Sequence, residues 1–433
     1  MVDIEWAPAE VRALREAMRR SPLEFARLVG VTKRTLNLWE SGQTSNMHES
    51  SKRLLYHVLE DATDDAKQRF WTTVARNSRP GTVPRPSDGD LLLATADESA
   101  SLLAWAETTN VGPLTIKDLR DNLRWVTREY LKSPTLPLFQ RVVRTRNRAI
   151  ELLQGRQHPQ QSAELYAIAG WSMTILGWIT TDLGNADIAE RHLRTAWALA
   201  ENTEDKELRA WIRAAQNTAA SWRGEYDDAA DAAADGLTYA TTGTAVLILA
   251  SARAIDLAHL GRARESAAAT QEALDIAARL NDEPQRDQFA GPFSCSIERA
   301  GGYWADTALV NGDPAKSIEF ATTALDQFRS AAPALRNFGS ERMVRCQRIK
   351  GYIALGDLDV AAAELANVAA TTPAEHRVGP LMQRVDEIAQ LAHDTAGRTS
   401  RVTEITNAAT AFRQLADLGN LPALAAGTNG DQL

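Results

Sequence analysis

Residues 21–42 read SPLEFARLVGVTKRTLNLWESG, two short amphipathic stretches flanking a Gly-Val pair. The pattern predicts two helices around a tight turn, with the second projecting from a small core as a helix must to enter a DNA major groove. Phe25, Val29, Val31, Leu36 and Trp39 supply the apolar positions, and Ala26 is small where the helices must approach. Ser21, with Pro22 next and Glu24 three residues on, has the spacing of a capping box with Pro in the first turn. Thr32 can cap the second helix. That leaves Lys33, Arg34 and Asn37 on its outer face, side chains suited to phosphates and base edges.

Outward from this stretch, Ala9–Arg19, Leu23–Val29, Thr32–Glu40, Ser50–Glu60 and Asp64–Ala75 read as five helices of a head covering residues 1–76. The head resembles the lambda-repressor-like (XRE-type) helix-turn-helix family in Ser21, Phe25, Ala26, Val29, Gly30, Val31, Thr32, Thr35, Leu36, Trp39, Glu40 and Gly42. The resemblance implies a double-stranded DNA operator as partner. It places Thr32, Lys33, Arg34, Thr35, Asn37 and Gln43 toward the duplex, with Lys52 and Arg53 as candidates for phosphate contacts. Pro22 is a departure, because the family commonly carries Gln there and the DNA contact of that Gln is lost. A head that keeps this fold but docks a protein is the alternative.

Charge agrees with the first reading. From Arg12 to Arg53 nine basic residues face four acidic ones, a net of +5 on a chain whose total is −8. A basic head on an acidic body is the electrostatic footprint of a DNA reader. So modest a charge binds weakly alone, which makes a homodimer on two half-sites the expected form. At 433 residues the chain has room for two or three domains, and 44% apolar residues suffice for a core. No run approaches membrane-span length, the N-terminus has no signal-peptide pattern, and Cys295 and Cys346 stand in no metal-ligand spacing. A cytoplasmic protein is expected.

Beyond the head, Asn77–Asp90 (NSRPGTVPRPSDGD) has three prolines and two glycines and reads as a linker, residues 77–90. Leu91–Thr108, Thr115–Leu131 and Leu136–Leu153 read as helices of a connector, residues 91–155, with a break at Arg156–Gln161 that carries Pro159. From 156 to 418 a pattern recurs: a turn Gly, then small residues about five and twelve positions later. Gly184 is followed by Ala189 and Ala196, Gly224 by Ala229 and Gly236, and Gly261 by Ser266 and Ala273. Gly312 precedes Ser317 and Ala324, and Gly356 precedes Ala361 and Val368. Small residues let paired helices approach, and the Gly ends the first helix in the left-handed conformation.

These units resemble the tetratricopeptide repeat (TPR), with Leu176 and Gly177 as its Leu-Gly pair and GNADIA, GEYDDA, GRARES, GDPAKS and GDLDVA as its turns. The glycines are 40, 37, 51 and 44 residues apart, beyond the usual ~34, so helices are extended or loops inserted, most clearly at Asn281–Phe293. Gly397–Leu418 is expected as a final capping helix and residues 419–433 as a disordered tail. The whole layout, including the Glu151–Trp171 junction, is similar to a large actinobacterial group of helix-turn-helix regulators with TPR-like sensor domains. In domain order it also resembles the peptide-pheromone receptors of Gram-positive bacteria. The fold class is therefore all-α, a five-helix helix-turn-helix head followed by a TPR-like α-solenoid.

The concave face of such a solenoid takes Trp171 and Trp178 from the first unit and Trp211 from the second. Arg299 and Asp306 come from the fourth, and Arg342, Arg345 and Lys350 from the fifth. The ligand candidates are Trp171, Trp178, Trp211, Arg299, Arg342 and Arg345. The tryptophans would meet apolar groups and the arginines a carboxylate. A peptide, a small molecule or a protein partner suits that combination; the same tryptophans would also serve as core. No phosphate loop, HExxH or zinc-ligand cysteine pair occurs, and the seven histidines are scattered, so no catalytic residue, metal or cofactor is expected. Two functions follow: a DNA-binding transcription regulator whose repeats sense a ligand, or a TPR interaction scaffold that does not bind DNA.

Overall fold

The protein is all-α. A computed structural model describes residues 4–43, 47–77, 88–130, 133, 135–282, 286–331 and 336–424, and among them are twenty α-helices and no strand. The chain divides into two compact units, Met1–Ser101 and Leu102–Leu433. The linker expected over 77–90 falls mainly on 78–87, outside the described residues, as do residues 425–433 of the expected tail.

In the first unit α1 (Pro8–Ala17) packs on α3 (Lys33–Ser41) and α5 (Asp64–Asn77), while α2 (Pro22–Val29) packs on α3 and α4 (Glu49–Glu60). The capping box at α2 is formed: Ser21 Oγ accepts the Glu24 N–H at 3.4 Å, and Glu24 Oε2 accepts the Ser21 N–H at 2.9 Å. Gly30 has φ 80° and turns the chain into α3, whose first turn is capped by the Thr32 hydroxyl accepting from Thr35 N at 3.1 Å. Phe25, Ala26, Val29, Leu36 and Trp39 are all buried, joined by Trp6, Leu14, Leu55 and Phe70, while Val31 is half-buried. One ion pair fixes α3 to α1. Arg15 donates through Nε and Nη2 to the two Glu40 carboxylate oxygens at 2.6 and 3.2 Å, and Arg12 Nη2 donates to the Glu40 carbonyl at 2.9 Å.

The second unit includes the end of α6 (Asp88–Glu107), then α7 (Pro113–Glu129) and α8 (Thr135–Leu153). Six antiparallel helix pairs follow: α9 (Pro159–Asp182) with α10 (Ala186–Ala200), α11 (Lys206–Trp222) with α12 (Tyr226–Tyr239), and α13 (Ala245–His259) with α14 (Ala263–Asp282). Next come α15 (Ile297–Val310) with α16 (Pro314–Ser330), α17 (Phe338–Leu355) with α18 (Leu358–Thr371), and α19 (Gly379–Ala396) with α20 (Ser400–Leu424). The stack is a TPR-like α-solenoid. Its five expected turn glycines have φ of 72–88°, a conformation that costs a side-chain-bearing residue about 1–2 kcal/mol. The small residues after each turn are buried, and at Gly177 a Cβ would lie 2.7 Å from Leu193, so α9 and α10 approach as closely as the Leu-Gly pair implies.

Three details refine the sequence reading. The expected break is present but ends earlier, at residues 154–158 between α8 and α9; Pro159 opens α9, because proline lacks only an N–H that the first turn leaves unbonded anyway. Gly397 is not inside a capping helix; it is the turn of a sixth pair, and α20 runs from Ser400 to Leu424, past residue 418. Third, the stack closes on itself: α19 meets α9, and a Cβ on Gly379 would lie 2.7 Å from the Asp182 carbonyl oxygen. The first helix of every pair therefore faces a common interior.

Candidate functional site

Two sites emerge, one in each unit. On α3, Lys33, Arg34 and Asn37 are exposed, and with Leu38, Ser41 and Gln43 they border a shallow concavity. The buried Leu36 and Trp39 hold the opposite face of the helix, so the polar row is presented rather than free to rotate. Thr32 and Thr35 serve the cap, their hydroxyls 2.8 Å apart. Lys52 and Arg53 are on α4 and outside this concavity. Lys52 donates to Glu49 at 2.7 Å, an exposed pair that weakens it as an anion ligand, whereas Arg53 is exposed.

The second site is a cavity of about 470 Å³, partly open to solvent and bordered by the inner helices α9, α11, α13, α15, α17 and α19. Of the six ligand candidates, the structure brings Trp178, Arg299 and Arg342 to its wall. Trp171 and Trp211 are elsewhere: both are essentially inaccessible, so they have the core role that the sequence left open rather than a place on the concave face. The cause is the insertion after α14. Its described part, residues 286–296, crosses the interior and sets Phe293 between Trp171, Trp178 and Trp211, with ring centroids 5.8, 5.6 and 5.7 Å away. Phe289 covers Trp171 at 4.6 Å, and the Trp171 indole N–H donates to Asp205 at 3.1 Å. Arg345 does not border the cavity; it and Arg336 both pair with Glu341.

The insertion is held in place along its length. Asp287 accepts the Thr244 N–H and hydroxyl at 2.7 and 2.8 Å, and Glu207 accepts the Gln288 N–H at 2.8 Å. Arg299 Nη1 donates to the carbonyls of Pro292 and Ser294 at 2.9 and 2.7 Å, with its guanidinium carbon 5.6 Å from the Trp178 ring centre. Arg299 thus has a structural duty, and Pro292 becomes part of the cavity wall.

The remaining wall is strongly polar. Asp306 of α15 pairs with Lys350 of α17 at 3.2 Å and Arg384 of α19 at 2.9 Å, and Glu387 pairs with the same two cations at 3.1 and 2.8 Å. Burial works against the Asp306 charge, but Arg384 and Lys350 outweigh it and hold its carboxyl below the usual range. Burial likewise opposes the Arg384 charge, and Asp306 and Glu387 more than restore it. This neutral four-residue network ties three repeats together. Asp182 is different: burial pushes it up to about 6 although the Tyr130 hydroxyl donates to it. Asp256 is pushed up to about 7, again by burial, which outweighs its Asn217 and Ser221 neighbours. Aromatic groups complete the lining, among them Trp222 and Tyr303, with Tyr226 stacked on His259 at 4.2 Å.

Sequence reasoning missed Asp256, Tyr226, Tyr303 and Arg384. A signal for Asp256 existed, since it is the one acidic residue in the apolar run Ala245–His259. No protein-family model and no curated protein matches the chain. Among solved structures it is similar to a Rap protein complexed with competence and sporulation factor, at 13% identity and TM-score 0.46 over 94% of this chain and 98% of that one. It is also similar to a signal transduction ATPase with numerous domains, with a tetratricopeptide repeat sensor, from Pyrococcus horikoshii. There the identity is 14% and the TM-score 0.39, over 96% of this chain and 65% of the other. Both likenesses are loose, and the helix pairs described above carry the fold assignment by themselves. No helix among the described residues is long and apolar enough to cross a membrane, and none of those residues cluster as a metal site.

Proposed function

We propose that this protein is a sequence-specific DNA-binding transcription regulator whose TPR-like unit senses a small ligand. The observation that carries the reading is the polar face of α3. Lys33, Arg34, Asn37 and Gln43 stand exposed around one concavity, on a helix whose apolar face and N-cap are both locked. Arg and Asn are the side chains that read guanine and adenine edges in the major groove, and Lys33 suits a phosphate. A homodimer on two half-sites would supply the affinity that a single weakly basic head lacks. In the second unit, a partly open cavity of about 470 Å³ has the size of a small-molecule site and suits a small ligand or a short peptide. Ligand occupancy regulates DNA binding only to the extent that the ligand prefers one state of the protein over another.

Selection on random duplexes with the full chain tests this. The expected result is one enriched motif, bound with an affinity that falls steeply as salt rises. Arg34→Ala should relax preference at one position, at a cost of about 1–3 kcal/mol, while Arg53→Ala should weaken all sequences alike. If no sequence is enriched and both variants bind like the parent, the DNA reading fails. The scaffold reading then takes its place. Pro22 at the usual Gln position favours that reading, as do cations already engaged within the head, Arg15 with Glu40 and Lys52 with Glu49.

A further inference from the structure

We propose that the cavity ligand carries a protonated amine and that Asp256 is its anchor; this rests on the reading of the cavity as a ligand site. Asp256 lies in the last turn of α13, has no exposed surface and borders the cavity. Its Oδ2 accepts from Asn217 Nδ2 at 2.5 Å, and the same amide nitrogen donates to the Ala229 carbonyl at 2.9 Å. Both hydrogens of that amide are therefore used, and they hold the carboxylate in one orientation. Its Oδ1 accepts no well-formed hydrogen bond, although the Ser221 hydroxyl is near enough to favour the carboxylate.

Burial with no cation to offset it raises Asp256 to about 7, so without a partner the group is partly protonated, the usual escape of an unpaired buried carboxyl. The other buried acids of this cavity are provided for: Asp306 and Glu387 share Lys350 and Arg384, and Asp182 receives the Tyr130 hydroxyl. No ion pair reaches Asp256 among the described residues. His259, one turn further on, stacks on Tyr226 instead. Oδ1 has no accessible surface in this arrangement, so an incoming ammonium reaches it with a small shift of the neighbouring wall and then supplies the missing partner.

The surroundings suit the same group. Burial raises the hydroxyls of Tyr226 and Tyr303, and the Asp256 charge adds to both, so the two phenols lie within its field. Aromatic faces attract cations, as Trp222 already does for the Arg384 guanidinium at 5.1 Å. Tyr303 also lies in the field of Arg299, which acts on it in the opposite sense. An anionic anchor among aromatic faces suits a compact amine with an apolar side group; Arg299 is no second anchor, because its Nη1 is already spent on the Pro292 and Ser294 carbonyls.

The test uses ligand-observed saturation-transfer NMR on the full-length protein with matched probes: tryptamine and phenethylamine, 3-indolepropionate and 3-phenylpropionate, tryptophan and phenylalanine. The amine-bearing probes should bind, and Asp256→Asn should weaken them at least tenfold while leaving the two acids unchanged. The variant keeps the Asn217 contact and removes a buried charge. Above pH 7, where Asp256 carries that charge, it should therefore melt at a higher temperature than the parent, which separates lost recognition from lost folding. If only the acids bind, or if D256N binds amines like the parent, the amine assignment is overturned while the cavity remains a ligand site. If no probe binds, the small-molecule reading of the cavity fails and takes this inference with it.

Discussion

Phe293→Ala tests whether the insertion between α14 and α15 fills the aromatic end of the solenoid. The side chain has no exposed surface and contacts the rings of Trp171, Trp178 and Trp211 at 5.6–5.8 Å. Phe-to-Ala changes at such sites cost about 3–5 kcal/mol, from lost transfer free energy and the cavity left behind. The upper half of that range is expected, because the three indoles belong to long helices that cannot all move inward. At about 2 °C per kcal/mol for a unit of this size, the melting midpoint should fall by about 8–10 °C. Differential scanning fluorimetry reads the midpoint, and steady-state emission reads the environment, since three of the eleven tryptophans would gain water and shift to the red. A midpoint shift below about 2 °C with unchanged emission would refute the reasoning, because it would mean that those indoles were never covered by this segment.

Two further outcomes follow from the same interior. Burial pushes the Glu207 carboxyl up to about 7 from an ordinary value of 4.5, so the folded state holds a proton there that the unfolded chain releases earlier. Stability should therefore fall as pH rises from about 4.5 to 7, level off above that, and lose part of this slope in Glu207→Gln; an identical slope by urea titration would argue against it. Gly379→Ala would place a methyl 2.7 Å from the Asp182 carbonyl oxygen and 3.4 Å from Gly184 N, forcing α19 away from α9. The expected loss is about 1–3 kcal/mol, with faster amide exchange in both helices; exchange confined to residue 379 would show that the contact does not close the ring.

Features set by a single turn or a single pair of helices were legible in the sequence. The turn glycines, the small residues behind them, the capping box at Ser21–Glu24 and the buried face of α3 each follow from local sterics, where backbone conformation or helix approach permits few residue types. The polar row Lys33, Arg34, Asn37 is of the same kind, because a helix with Leu36 and Trp39 buried has only one outer face.

What the sequence by itself determined, then, was the periodicity: helices, their ends, and which side of each is apolar. Tertiary structure alone decided which apolar residues face a partner helix and which face a cavity. Trp171, Trp178 and Trp211 have the same pattern in the chain, yet Phe293, arriving from more than 80 residues beyond Trp211, buries two and leaves Trp178 at the wall. Lys350 and Arg384 found Asp306 and Glu387 in the same way, through the curvature of the stack rather than through spacing along one helix. The physical reason is that periodicity records only the contacts a segment makes with its immediate neighbours. A closed solenoid adds contacts between segments far apart in the chain, and these set the burial, and hence the charge, of every group inside the ring.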